Sequence, residues 1–116
     1  MRNLREKLCR LVPGDIIHGK CPEGPSLICV VESVTFDRIE VRCITLQDKL
    51  AFDIETGLTM GNDVLCTLDS IAPVPCDVHD VLLGLDRKMR LSEPPLNRAE
   101  IDALIFVGRF YRAHPL

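Results

Sequence analysis

Past the first dozen residues, the spacing of apolar side chains changes once along this chain, and the change separates two kinds of structure. Up to about residue 72 the apolar positions fall in short runs rich in Ile, Val, Cys and Phe, bounded by Pro, Gly and Asp. Such runs mark strands, and alternation at every second position gives a strand one buried face. After Pro73 and Pro75 the period becomes helical, with Val78, Val81, Leu82, Leu85 and Met89 forming one stripe. A period near 3.6 is that of an amphipathic helix. Strands followed by helices define an α+β chain.

The strands are expected at Ile16-Ile17, Leu27–Phe36, Ile39–Leu46, Leu50–Ile54 and Val64–Ile71, with His18 to Pro25 as a loop. A two-residue turn at Asp37-Arg38 places Phe36 opposite Ile39 and Val34 opposite Val41, on one inner face. A second turn at Asp48-Lys49 adds Leu50, Phe52 and Ile54 to that face. The same register points Glu32 inward against Cys43. A buried carboxylate without a partner is costly, so a β-bulge turning it outward is expected there. Val31/Ile44 and Cys29/Leu46 are apolar on the outer side, which requires a cover. One of the C-terminal helices supplies it.

Leu4, Leu8 and Leu11 stand at helical spacing with Arg2, Arg5, Glu6 and Lys7 between them, a short amphipathic helix within residues 1–12 that Pro13-Gly14 closes. The turn Pro13-Gly14-Asp15-Ile16 resembles the one that opens many small barrels of the Src-homology-3, Tudor and KOW kind. That resemblance covers four residues and implies a barrel, with nothing about function. At the other end, Asn97 and Glu100 have the spacing of a capping box. The helix they begin is apolar nearly all round through Ala103–Val107, its polar stripe narrowed to Arg98, Asp102 and Arg109. Burial on more than one side is expected of it. The expected whole is a single domain over residues 1–116. It comprises an N-terminal helix (1–12), a bent antiparallel barrel or meander of about five strands (13–72), and a helical tail (76–116). At 116 residues, 47% of them hydrophobic, one core is what the chain can build.

Charge is distributed unevenly. Residues 1–20 carry five basic and two acidic side chains, residues 21–84 three and eleven, and residues 85–116 six and four. The net charge of −3 argues against general nucleic-acid binding. Basic ends leave a nucleic-acid-binding accessory role as an alternative, through Arg2, Arg5, Arg10, Arg87, Lys88 and Arg90. The strands offer no aromatic stacking platform to support it, since Phe36 and Phe52 are expected to face inward.

Six cysteines lack any CxxC pair, and Cys29, Cys43 and Cys66 sit in apolar runs, so reduced core filler is expected. Met1–Arg10 has no signal-peptide core and no apolar run is long enough for a membrane span, which points to a cytoplasmic protein. His18, Cys21, Cys76 and His79 are the right ligand types for a Cys₂His₂ zinc site. Barrel pairing sets them apart, so neither a metal nor another cofactor is expected. His18, Cys21 and Glu32 alone sustain the further alternative of a thiol- or metal-dependent enzyme, with Cys21 a lone loop thiol beside Lys20. No nucleophile elbow, phosphate loop or HExxH is present. The sequence therefore favours a non-enzymatic binding or assembly module. Its apolar surplus lies on the last helix, where Phe106, Val107, Phe110 and Tyr111 are the candidate contacts to a protein partner or a second copy.

Overall fold

The computed structural model describes residues 4–22, 26–61, 66–91 and 96–115. In chain order it contains α1 (Leu4–Leu8), β1 (Ile16–Lys20), β2 (Leu27–Val34), β3 (Arg38–Cys43), β4 (Asp48–Asp53), β5 (Thr67–Ser70), α2 (Cys76–Arg90) and α3 (Arg98–Ala113). The strands form one antiparallel sheet in the order β4-β3-β2-β1-β5. It is bent into a half-barrel, and isolated bridges Phe52↔Thr59 and Leu58↔Thr67 lean the segment after β4 towards both edges. The chain is α+β, as its periodicity predicts. Among the described residues no helix is long and apolar enough to cross a membrane.

The sheet is covered on both faces. Its concave side encloses Ile17, Leu27, Cys29, Val31, Ile39, Val41, Phe52 and Leu68, and Leu4, Leu8 and Leu11 close that core from the N-terminal side. On the convex side Ile16, Ile28, Val30 and Ile44 meet Leu82 and Leu85 of α2 and Ala103, Val107 and Tyr111 of α3. The predicted cover is thus both helices rather than one. Three ionic contacts fasten this layer. Arg42 on β3 reaches Asp86 at 2.9 Å, Arg90 shares Asp86 at 3.2 Å, and Lys88 binds Glu100 at 2.8 Å across α2 and α3.

The hairpin registers differ from those expected. Thr35 N–H donates to Arg38 O, so the two-residue turn is Phe36-Asp37, held by Thr35 Oγ1 donating to Asp37 Oδ1 at 2.8 Å. Val34 consequently pairs with Ile39, and Phe36 sits at the turn tip, 83% exposed, instead of facing the core. The register shifts between Val31 and Ser33, leaving Glu32 in a bulge with its side chain exposed, as the cost of burying it predicts. One extra residue reverses the alternation of β2. Cys29 and Val31 therefore point into the barrel, and Val30 and Ile28 face the helices. The β3–β4 pairing sets Cys43 opposite Asp48, so the turn spans Ile44–Gln47, with Gln47 at φ 54°. That register is offset by an even number of residues, which keeps Phe52 and Ile54 on the inner face.

β1 extends to Lys20 through residues expected in a loop, and it pairs antiparallel with β5 as a barrel requires. His18 lies opposite Ser70, at the end of β5 rather than its start. The same pairing sets Cys21 against Cys66, and the two form a disulfide. The expectation of six reduced cysteines is corrected for these two; Cys9, Cys29, Cys43 and Cys76 are free.

Candidate functional site

Helix α3 owes its start to the capping box that its sequence announces. Asn97 Oδ1 accepts from Glu100 N–H at 2.9 Å, and the Glu100 carboxylate accepts from Asn97 N–H at 2.8 Å. That carboxylate is held below the usual range, first by the Lys88 ammonium and then by the Asn97 amide. From this start the helix turns Ala103, Val107 and Tyr111 into the convex core at helical spacing.

The opposite side of the same helix is uncovered. Ile101, Ile105 and Phe106 are 40%, 52% and 40% exposed. Burial on one side only is the correction to the expectation that this helix is enclosed. Phe106 also lines a shallow groove of about 580 Å³ with Pro75, Val78, Val81, Ala99 and Ala103. The four predicted contact residues therefore divide. Phe106 is at the surface and Phe110 is half-buried, stacked between Phe106 and His114 at 5.8 and 4.3 Å. Val107 and Tyr111 lie inside the monomer, so their contacts are to their own sheet. Ile101 and Ile105 were legible in the sequence as a second apolar line one turn apart on α3.

Tyr111 leads to a second cluster. Its hydroxyl donates to Ile16 O at 3.0 Å, its ring stacks on His18 at 5.0 Å, and burial pushes its phenol pKa up. His18 is only 6% exposed, and its Nδ1 lies 2.6 Å from Asp69 Oδ1. A carboxylate accepts, so Nδ1 carries the proton, and Nε2 is shut from solvent without a hydrogen-bond partner among the described residues. A cleft of about 340 Å³ lies between the end of β1, β5 and the last turns of α3. His18, Lys20, Ser26, Asp69, Gly108 and Arg112 are among its walls.

The zinc candidates are not brought together. Cys21 is bonded to Cys66, His18 to Asp69, and His79 Nε2 lies 2.8 Å from Gly14 O, while Cys76 is exposed at the start of α2. Among the described residues no group of three His, Cys, Asp or Glu side chains is gathered for a metal. As a half-cystine, Cys21 also offers no free thiol for nucleophilic chemistry. Cys29 and Cys43 face each other across β2 and β3, both buried. Cys29 is pushed up by its hydrogen bond to Cys43 and by burial, and Cys43 is lowered by the same bond and by Thr45.

The basic residues are dispersed. Arg2 lies outside the described residues. Arg5 pairs with Glu55 and donates to Phe36 O, Lys88 with Glu100 and Arg90 with Asp86, and Arg10 and Arg87 are exposed. α1 packs on the concave core and α2 on the convex one, so the sheet stands between the two basic ends. Compared with known proteins, the chain matches no family model, and no curated sequence or solved structure resembles it significantly.

Proposed function

We propose that this chain is a small non-enzymatic assembly module, a barrel of the Src-homology-3 kind that self-associates through the outer face of α3. The exposure of Ile101, Ile105 and Phe106 on α3 carries this reading. Large apolar side chains exposed on both flanks of a helix's narrow polar stripe are a liability in a monomer and an anchor in an interface.

A second copy is the occupant that the charge pattern favours. Isologous contact lays α3 antiparallel on its own copy. With the two-fold axis between Ile105 and Phe106, Ile105 meets the partner's Phe106, and Arg109 meets the partner's Asp102. Both ion pairs then flank the axis, with Asp102 also held by Arg98 of its own helix at 3.1 Å, while Arg98 and Arg112 directly oppose small residues, Ala113 and Ala99.

Light scattering on Ile105→Asp and Phe106→Asp tests it, with Val12→Asp as an exposed control outside α3. The account expects both α3 variants to run as monomers and the control to stay dimeric. Equal masses for all three and for the wild type contradict it.

A further inference from the structure

We infer that the cleft beside His18 is a binding site for a small phosphate-bearing molecule, held by Lys20 and Arg112. Both side chains are exposed, and among the described residues neither makes an ion pair. They stand on different elements, β1 and α3, and converge on one cavity of about 340 Å³. That size is in the range of small-molecule pockets. Asp69 is the one carboxylate among the cleft residues, and its Oδ1 is engaged by His18 Nδ1 at 2.6 Å. Among the described residues, two cations against one already partnered carboxylate leave the cleft positive. In a chain of net charge −3 this is not a by-product of general basicity.

Gly108 supplies an independent observation. Glycine in a helix interior costs roughly 1 kcal/mol relative to alanine. Its φ lies outside the left-handed region, and an added Cβ meets nothing within 4 Å, so neither backbone conformation nor packing in the monomer demands it. Gly108 lines the cleft, and its missing side chain keeps that wall of the cavity open. A phosphate fits the cation pair better than a carboxylate does. A dianion matches two positive charges, and the guanidinium fork of Arg112 takes two of its oxygens at once.

The test uses the full chain, with inorganic phosphate, ribose 5-phosphate, acetate and a short single-stranded DNA as probes. Tyr111 is the only tyrosine in a chain without tryptophan, and it stacks on His18, so its fluorescence reports on this cleft. Saturable binding of ribose 5-phosphate is expected at millimolar concentration or below, with inorganic phosphate weaker and acetate weaker still. Lys20→Gln with Arg112→Gln lowers the affinity at least about tenfold, and Gly108→Val, which fills the cleft, does likewise. Arg10→Gln, on an exposed arginine near α1, leaves it unchanged. Thermal unfolding of each variant establishes that it is folded, and the glutamine pair replaces exposed side chains that make no ion pair among the described residues. No saturation by about 10 mM phosphate ester at low salt overturns the proposal. So does binding that the glutamine pair leaves intact, or binding confined to the DNA or equal for acetate.

Discussion

Tyr111 stacks on His18 with ring centroids 5.0 Å apart, and its hydroxyl donates to the Ile16 carbonyl 3.0 Å away. One side chain near the end of α3 thus holds two points of β1. His18 passes the connection on to β5 through Asp69, and Ser70 Oγ donates to His114 O just past the helix. The helical layer is fixed to the sheet at β1 and β5, the end of the sheet farthest from β4.

Tyr111 is therefore expected to separate packing from hydrogen bonding. Tyr111→Phe keeps the stacked ring and loses one hydrogen bond, about 1 kcal/mol of stability. Tyr111→Ala empties a buried aromatic site and costs about 3–5 kcal/mol. Urea unfolding measures both, and equal losses would show that the ring contributes nothing beyond its hydroxyl. Because burial raises the phenol pKa, the fold favours the neutral form. Its contribution is complete below the ordinary tyrosine value of 10.0 and is lost as pH rises beyond it. Ultraviolet titration should find no phenolate at pH 10 in the folded chain, and a normal value after unfolding.

The Cys21–Cys66 bond closes a loop with a sequence separation of 45 and ties the end of β1 to the start of β5. By loop entropy, reducing it costs up to about 4 kcal/mol. Thiol counting in denaturant without reductant should give four free sulfhydryls, and six would refute the pairing. Before unfolding, Cys9 and Cys76 should react first, since Cys29 and Cys43 are sealed in the sheet.

How much of this was readable beforehand depended on parity. The strand-to-helix change, the capping box at Asn97 and the outward turn of Glu32 follow from local chemistry, and the sequence carries them directly. The inner face of β3 and β4 was also legible, because both turn errors were even and left Ile39, Val41 and Phe52 in place. The base of β2 was not, because a single bulge at Glu32 exchanges Val30 with Val31. Phe36 misled for another reason: aromatic residues are rare at turn tips, and hydroxyl and carboxylate bonds between Thr35 and Asp37 fix this one there. Asp69 beside His18 and Cys66 beside Cys21 depend on the β1–β5 register, which no run of sequence reveals.

The α2–α3 junction should soften in acid. Lys88 and the Asn97 amide hold the Glu100 carboxylate below its ordinary value of 4.5. Its contribution is complete above that value and lost as pH falls through the lower, folded one. Glu100→Gln should flatten the stability profile between pH 5 and pH 2 that the wild type shows in urea. Asn97→Ala, which removes the other half of the box, should cost about 1 kcal/mol at neutral pH. An unchanged acid limb in Glu100→Gln would mean that other carboxylates govern it.

Sedimentation equilibrium of the wild-type chain across the micromolar range tests the assembly reading most directly. A buried Ile105–Phe106 seam predicts a reversible dimer of about twice the 13.0 kDa chain mass, dissociating on dilution. A single 13.0 kDa species at every concentration up to about 100 μM would contradict it.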